Sequence, residues 1–468
     1  MDLLEIKNHQ CINRSDIPLL TFEDFESHVC AENKRVVSFF ALDMLLYAVL
    51  VDDENSKLFV ISTIVGSSYP SFSIKKPCMQ MFERELYENT GIEPIGHPFL
   101  KPVRKQENYE FLKSDDYQTH EVAVGPVHAG IIEPGHFRFL CNGERVNHLE
   151  IMLGYQHKGV EKLLKEKPTV QLAESICGDS TIAYAKTFAE TIEALSNIKV
   201  DEKAKAIRTI ALEMERIAIH IGDLGAVAGD VAYQIGANVF GVTRTLVINS
   251  LLDICGNRFG KGLIKIGGVN YDIDTDLADN IIKVLEEVKT RVNTMADAMF
   301  DNATVISRLE NTGALTKKRA KEIGLVGMSA RACGLKIDAR RLDNKDFDVK
   351  VLKSGDVLDR TYIRYVEILD SIEIVKNLLR NLRGEVNKER FTPQLSSNLF
   401  VVSINEAWRG EVVHVCITDE NGKIKQYKIK DPSFTNWFGL AVAMRNNQIS
   451  DFPVCNKSFN LSYCGFDL

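Results

Sequence analysis

Residues 174–185 read Glu174-Ser-Ile-Cys-Gly-Asp-Ser-Thr-Ile-Ala-Tyr-Ala185. This stretch opens a long run of helical pattern with a thiol, a carboxylate and a phenol close together. Because positions three and four apart share one face of a helix, we expect Cys177 and Ser180 to point the same way, with Tyr184 one turn further along. The stretch has the spacing of a two-thiolate metal clamp in which Ser180 replaces the second thiol.

Cys177 can be interpreted as a metal ligand or as a buried core residue. A soft metal held by sulfur requires several thiolates that converge on one point, usually supplied as Cys-x-x-Cys pairs from separate segments. Free cysteine is also among the most buried residue types, so Cys177 can equally be a small core residue at a helix start. The usual behaviour of cysteine favours the second interpretation.

The composition is that of a folded protein with more than one domain. The chain has 468 residues, of which 45% are hydrophobic and 26% are charged, and typical domain sizes predict about two to four domains. The net charge of −7 does not favour electrostatic capture of nucleic acid. The first seven residues lack the basic start and apolar core of a signal peptide, so we expect a cytoplasmic location.

Ten cysteines are scattered along the chain, and the sequence contains no Cys-x-x-Cys pair. Such spacing predicts reduced thiols. It also argues against an iron–sulfur or zinc site built by this chain alone. We therefore predict that the chain itself binds no cofactor and no metal.

The N-terminal part of the sequence predicts a small α+β unit. Strand formers at 45–51 and 58–64 flank a polar turn at 52–56, and a helix follows at about 77–90. The polar, aperiodic segment 106–120 predicts a linker. We therefore divide the chain into an α+β domain at 1–105, a linker at 106–120 and a second domain at 121–468.

The second domain has the pattern of a mainly α-helical bundle with small β-sheets at its ends, so the predicted fold class is α+β. A hairpin is expected around 122–144. Helices are predicted at 202–222, 236–255, 276–298, 316–323 and 360–382, and strands at 401–404, 412–417 and 424–429. Three charged residues and five glycines interrupt the most apolar region, 217–246. We therefore predict a buried pair of core helices there rather than a membrane span.

Several runs resemble known families. The run Glu83–Pro98 resembles the 30-kDa subunit of respiratory complex I. Later runs resemble the complex I 49-kDa subunit and the large subunit of membrane-bound, energy-converting [NiFe]-hydrogenases, and the fused arrangement is most similar to the formate-hydrogenlyase type. These runs, in family order, are Gly125–Gly130, Glu133–Arg138, Gly154–Lys162, Glu213–His220, Gly324–Arg331, Glu406–Glu411 and Lys430–Phe434.

The chain departs from this family at the first metal-ligand motif. Hydrogenases of the family have Cys-Gly-x-Cys followed by a histidine. Here the motif reads Cys177-Gly-Asp-Ser180, and Tyr184 takes the histidine position.

The family's closing motif, Asp-Pro-Cys-x-x-Cys, is also altered. If the segment 460–465 is its counterpart, Ser462 and Gly465 replace the two thiols, and Cys464 lies beside the last position. One thiolate cannot reproduce a four-sulfur Ni–Fe cradle. We therefore expect Cys177, Ser180, Ser462 and Gly465 to be vestigial positions and the [NiFe] centre to be absent.

Five residues form the candidate catalytic set. His128, His136 and His157 are imidazoles that can relay protons near neutral pH, and the resemblance implies that the hairpin carrying His128 and His136 lines a quinone cavity. The alternative for each histidine is that it caps a turn or bonds a backbone carbonyl. Asp179 and Tyr184 complete the set as polar groups of the vestigial cavity.

Other charged residues recur where the family has buried charged groups. For Glu161, Glu213 and Arg216 we expect ion pairing, because a buried carboxylate is costly unless it is paired. Arg331 and Arg409 are expected either to form structural ion pairs or to face the site.

The resemblance implies a peripheral-arm subunit of a membrane-bound, ion-translocating oxidoreductase complex without hydrogenase activity of its own. The implied partners are an iron–sulfur small subunit, antiporter-like and anchor membrane subunits, and a quinone or other small acceptor; no nucleic acid is implied. The implied location is the inner face of the cell membrane, through partner subunits. The alternatives are a redox-inert assembly subunit and, less favoured, an active [NiFe]-hydrogenase large subunit.

Overall fold

The structure is a computed structural model that describes residues 3–107, 109–389 and 391–468. Its strands are β1 (Leu4–Ile6), β2 (Cys11–Asn13), β3 (Leu19–Leu20), β4 (Arg35–Leu42), β5 (Leu45–Asp52), β6 (Lys57–Ile64), β7 (Ser68–Pro70), β8 (Glu93–Ile95), β9 (His120–Val124), β10 (His136–Asn142), β11 (Arg145–Met152), β12 (Ile264–Lys265), β13 (Gly268–Val269), β14 (Leu399–Glu406), β15 (Glu411–Thr418) and β16 (Ile424–Lys430).

Its α-helices are α1 (Phe22–Cys30), α2 (Gln80–Thr90), α3 (Val160–Glu166), α4 (Val170–Glu174), α5 (Thr181–Leu195), α6 (Glu202–Asp230), α7 (Gln234–Cys255), α8 (Thr275–Phe300), α9 (Ala303–Leu309), α10 (Lys317–Ile323), α11 (Gly327–Ala332), α12 (Arg340–Asp343), α13 (Val357–Arg380), α14 (Ser433–Ala443), α15 (Phe452–Phe459) and α16 (Tyr463–Asp467). This mixture of helices and small sheets confirms the predicted α+β class.

The N-terminal sheet has the strand order β1-β6-β5-β4, and β3 pairs in parallel with β6. The predicted hairpin is present, since β5 and β6 pair in antiparallel register with Asp52 opposite Lys57. Helix α2 follows as predicted and is capped at its C-terminus by Gly91. The φ angle of Gly91 is 74°, a left-handed conformation that glycine adopts readily.

Helices α6, α7, α8 and α13 pack together within the predicted second domain. Gly225 allows α7 to lie close to α6, because a Cβ at that position would lie only 3.2 Å from the Cβ of Phe240. The predicted helix pair is therefore present. The expectation that both helices are buried is wrong for α7, because neighbours cover only one side of it and Ile235 and Val242 are 66% and 58% exposed.

Helix α7 also has the length and apolar composition that crossing a membrane requires, with 33% of its most apolar window buried.

A C-terminal sheet connects the two ends of the chain. Its strand order is β16-β15-β14-β2, so β2 from the N-terminal region completes a sheet built by residues 399–430. Its inner face shares a hydrophobic core with the N-terminal sheet, including Tyr47, Val402 and Val415. Part of the first predicted domain is thus built into the second.

The described residues of the predicted linker contain no helix, and they form no strand before His120. Asn108 of that segment lies outside the described residues. The segment is attached at Glu150, whose carboxylate accepts hydrogen bonds from the Tyr109 hydroxyl at 2.7 Å and from the Leu112 amide at 2.8 Å. Tyr117 further along is 92% exposed. The division into domains at this segment stays a prediction.

We predict that brief chymotrypsin treatment of the native chain cuts first after Tyr117, because an exposed aromatic side chain in a segment without secondary structure is readily cleaved. The two fragments should stay together on a sizing column, since β2 pairs with β14. The variant Tyr117→Ala should delay this cut. First cuts within residues 121–468 would show that the linker is misplaced.

Candidate functional site

The segment Cys177–Ser180 is a turn between α4 and α5, not the start of a helix. Helix α5 begins at Thr181, and the Ser180 amide donates to the Cys177 carbonyl at 3.2 Å. The prediction that Cys177 and Ser180 share one face of a helix is therefore wrong, because both residues precede the first residue of α5. The turn still directs both side chains to one place, since Nη1 of Arg409 lies 3.5 Å from Cys177 Sγ and 3.4 Å from Ser180 Oγ.

The C-terminal segment 462–465 meets this turn. Ser462 caps α16, and its Oγ accepts a hydrogen bond from the Gly465 amide at 2.8 Å. The same Oγ lies 3.2 Å from Cys177 Sγ and 3.5 Å from Cys464 Sγ. The two altered ligand motifs are thus brought together. We call Cys177, Asp179, Ser180, Arg409, Ser462 and Cys464 the central cluster.

Arg409 is the cation of the central cluster. Its Nη1 and Nη2 donate to the two carboxylate oxygens of Asp179 at 2.6 and 2.7 Å, and its Nε donates to the Asn460 carbonyl at 2.6 Å. Its side chain is only 4% exposed, and it lies over the Trp408 ring. Burial acts to raise the pKa of Asp179, but the Arg409 ion pair outweighs it and lowers that pKa. Asp179 is therefore held as a carboxylate.

Tyr184 is fully buried next to the cluster but does not bond Asp179 or Ser180. Its hydroxyl donates to Asp431 Oδ2 at 2.5 Å, and the other oxygen of Asp431 accepts from the Ser433 amide at 2.6 Å. Burial and the nearby Asp431 carboxylate raise the pKa of Tyr184. The phenol on α5 is thus directed toward Asp431.

The candidate histidines lie around the cluster rather than within it. Nε2 of His128 is 2.8 Å from the Gly135 carbonyl, and Nδ1 of His157 is 2.6 Å from the Asp467 carbonyl. Burial lowers the pKa of His136, whose ring lies 4.7 Å from that of Phe111. In the part of the chain that the structure describes, no hydrogen bond joins these histidines to the central cluster. His128 and His157 fit the alternative of bonding a backbone carbonyl.

The loop between β9 and β10 nevertheless reaches the cluster through Glu133. The Glu133 carboxylate acts on the Cys464 thiol and raises its pKa, against the lowering effect of Cys177. Gly135 allows this close approach, because a Cβ there would lie 2.6 Å from the Tyr463 ring. Glu133 lies in the family-like segment Glu133–Arg138 and was not among the predicted site residues, although its position three residues before His136 was an available signal.

Glu215 is a second carboxyl group that the sequence interpretation missed. Its Oε1 accepts from the Ile182 amide at 2.8 Å and so satisfies a free amide in the first turn of α5. Its Oε2 is buried and finds no hydrogen-bond partner among the described residues. Burial is the main cause that raises the pKa of Glu215 to about 8. It lines a narrow cleft with Asp179, Arg244 and Arg258, so a protonated carboxyl lies close to the cluster.

Buried ion pairs connect α6, α11, α13 and β14. Arg331 donates to Glu367 and Glu406, both at 2.7 Å. Arg216 donates to Glu213 at 2.9 Å. The expected pairing of Glu213 with Arg216 is present, and Arg331 belongs to the ion-pair network rather than to the central cluster. Each buried charge here has an opposite charge beside it, which such burial requires.

Glu161 is paired at the base of α3. Its carboxylate lies 3.0 Å from Lys428 Nζ and accepts from the Ile429 amide at 2.8 Å. Lys428 also pairs with Glu85 of α2 at 2.8 Å. Lys428 of β16 therefore joins α2 of the N-terminal region and α3 to the C-terminal sheet.

The central cluster does not fit the Ni–Fe centre that the resemblance implies. Cys177 supplies the only thiol at the four ligand positions, and the Arg409 cation is in contact with it. A Cβ on Gly465 would lie 2.5 Å from Asp431 Oδ2, so a ligand side chain at this position requires a shift of its neighbour. Among the described residues, no group of three or more histidine, cysteine, aspartate or glutamate side chains has an arrangement that could hold a metal ion.

Comparison with known proteins identifies relatives along most of the chain. The family described as "Respiratory-chain NADH dehydrogenase, 49 Kd subunit" matches residues 236–398. The membrane-bound hydrogenase subunit alpha of Pyrococcus furiosus is 28% identical over 73% of this chain and 85% of its own length. Formate hydrogenlyase subunit 5 of Escherichia coli is 27% identical over 84% of this chain and 76% of its own length.

Two further similarities agree with these. A subunit of the NADH-quinone oxidoreductase of Chloroherpeton thalassium is 26% identical over 80% of this chain and 97% of its own length. A chain in the solved structure of the membrane-bound sulfane sulfur reductase, an archaeal respiratory membrane complex, shares the fold with a TM-score of 0.69 and 23% identity, over 76% of this chain and all of that chain. The chain is thus similar, over most of its length, to subunits of energy-converting hydrogenases and of NADH-quinone oxidoreductases.

Proposed function

We propose that the chain is a peripheral-arm subunit of a membrane-bound, ion-translocating oxidoreductase complex that works without a [NiFe] centre. The observation that carries the proposal is the ion pair of Arg409 with Asp179. This pair, together with Ser462 and Gly465, occupies the place where the resemblance implies metal-ligand thiols. The names of the relatives, which include a membrane-bound hydrogenase and a NADH-quinone oxidoreductase, support the membrane-bound oxidoreductase part of the proposal.

The chain needs partners to take part in electron transfer. Its ten cysteines form no Cys-x-x-Cys pair, so in this proposal an iron–sulfur small subunit carries the electrons to the central cluster. Antiporter-like and anchor subunits hold the complex at the inner face of the cell membrane. A quinone or another small polar acceptor takes the electrons.

In this proposal the chain itself takes part in proton transfer. Asp179 is a carboxylate held by Arg409, whereas Glu215 on the other side of the turn is a neutral acid near pH 7 because of its raised pKa. Two carboxyl groups whose environments separate their pKa values in this way can accept and donate a proton at the same pH. The Tyr184 hydroxyl offers a further donor at Asp431.

A redox-inert assembly subunit is the second candidate function. The observation in its favour is that the polar groups of the central cluster bond each other, as with Cys177 and Ser462 at 3.2 Å. A cluster whose polar groups form hydrogen bonds with each other can stabilise the fold without binding a substrate. The rates of variants distinguish the two functions.

We predict that the purified complex contains no stoichiometric nickel, because one thiolate beside a guanidinium cannot bind this metal in the family's manner. The variant Ser180→Cys should also lack nickel, since the C-terminal thiols are still missing. Elemental analysis of both proteins is the measurement. About one nickel per chain in the unmodified complex would contradict the proposal.

We predict that Tyr184→Phe lowers electron transfer by the assembled complex by about 10²-fold, the usual effect of losing a positioned proton donor. The measurement is turnover with an artificial electron donor, together with the melting temperature. Tyr427→Phe is the matched control, because it removes another buried phenol whose hydroxyl lies 2.8 Å from His414 Nδ1. Equal turnover in both variants would support the assembly subunit instead.

We predict that Glu215 makes stability depend on pH. Its pKa rises from 4.5 to about 8 on folding, so the native state binds the proton more tightly than the unfolded chain. The protonated group stabilises the native state fully below pH 4.5, and this contribution is lost as the pH rises toward 8, with a slope of at most about 1.4 kcal/mol per pH unit.

The variant Glu215→Gln should remove this dependence while it keeps an oxygen for the Ile182 amide. Urea unfolding of the full chain at pH 5 and pH 8.5 is the measurement, and the variant should lose less stability between the two pH values. Glu202→Gln on the same helix is the control, because that side chain is 88% exposed. The same pH dependence in Glu215→Gln and the unmodified chain would refute the assignment.

A further inference from the structure

Two thiols lie side by side in the central cluster. Cys177 Sγ and Cys464 Sγ lie 3.2 and 3.5 Å from the same Ser462 Oγ, and each thiol shifts the pKa of the other. Cys177 is 1% exposed, whereas Cys464 is partly exposed at the start of α16. The pair therefore has one sulfur that reagents can reach and one that is shielded.

The charged groups around the pair suit thiol chemistry. Nη1 of Arg409 lies 3.5 Å from Cys177 Sγ, and Asp179 Oδ1 lies 3.0 Å from the same sulfur. A hydrogen bond from the Cys177 thiol lowers the pKa of Cys464, while Glu133 beside it acts in the opposite direction. Cys464 is thus the thiol that ionises more readily, and a thiolate is the nucleophile in disulfide exchange.

We propose that Cys177 and Cys464 form a redox-active thiol pair that is oxidised to an intramolecular disulfide and reduced again. In oxidation two S–H bonds break, one S–S bond forms, and two protons and two electrons leave. Glu133 and Asp179 are placed to accept the protons. The electrons pass one at a time to a one-electron carrier, and this part rests on the iron–sulfur partner of the proposed function.

The geometry requires only a local movement. The sulfur atoms of a disulfide are about 2.05 Å apart, so the two thiols must approach each other past the Ser462 hydroxyl. Ser462 is held by the Gly465 amide, whereas Cys464 is partly exposed, so we expect the Cys464 side chain to make this movement. In this proposal the two sulfur atoms at the altered ligand motifs can together release and take up two electrons.

The test uses glutathione, which needs no electron-transfer partner. The Cys464 thiolate attacks glutathione disulfide and releases one glutathione thiolate, and Cys177 then attacks the mixed disulfide and releases the second. The full chain is equilibrated in glutathione buffers of increasing oxidised fraction, alkylated and mapped by mass spectrometry. We expect a cross-linked peptide that contains Cys177 and Cys464 and lacks two hydrogen atoms. It should disappear in reduced buffer.

Variants separate the pair from a single reactive thiol. In Cys177→Ser, Cys464 should accumulate as a mixed disulfide with glutathione, and in Cys464→Ser the buried Cys177 should stay unmodified. Cys455→Ser is the matched control, because Cys455 is another buried thiol beside an arginine, Arg360, and its loss should leave the cross-link unchanged. Melting temperatures show whether each variant is folded.

The presence or absence of the Cys177–Cys464 cross-link in the unmodified chain is sufficient to test the proposal. A mixed disulfide at Cys464 without the cross-link, even in fully oxidised buffer, would overturn it. The proposed function is tested separately through nickel content and turnover, so failure of the thiol pair and failure of that function give different results.

Discussion

The buried guanidinium of Arg409 is the constraint on which the central cluster depends. A buried cation needs compensating negative charge and acceptors, and removal of one partner of such a pair costs about 3–5 kcal/mol. Asp179 supplies the charge from the turn before α5, and the Asn460 carbonyl supplies an acceptor from the C-terminal region. Arg409 itself lies in the turn between β14 and β15. One side chain thus fixes three distant segments relative to each other, and the positions of Cys177, Ser462 and Cys464 follow from it.

This arrangement shows how the fold is held together at the two altered motifs. An ion pair and the hydroxyl of Ser462 connect the segments, and the network around Arg331 and Glu367 supports the helices behind them. The fold therefore allows the chemistry of the site to change without loss of structure, because fold and function are separate properties of a chain.

Much of the fold could be predicted from the sequence, because helices and hairpins depend on local periodicity and turn residues. The β5–β6 hairpin and helix α13 agree with their predicted positions to within a few residues. The pairing of β2 with β14 could not be predicted, since it joins segments from opposite ends of the chain. The likeness to the hydrogenase motifs did indicate that Cys177 and Ser462 belong to one site. It did not indicate Glu215, whose raised pKa depends on burial by other helices rather than on its neighbours in sequence.

The contact between Cys177 and Ser462 spans 285 residues, and this separation matters during protein synthesis. A ribosome adds about 5–20 residues per second, so roughly 15–60 s pass between the synthesis of the first segment and that of the second. During this interval the Cys177 thiol has no partner from residues 460–465, and Arg409 is added only 232 residues after Cys177. The central cluster is consequently one of the last parts of the chain to close. Until then the Cys177 thiol of the nascent chain lacks its contact with Ser462, and Arg409 can pair only with Asp179.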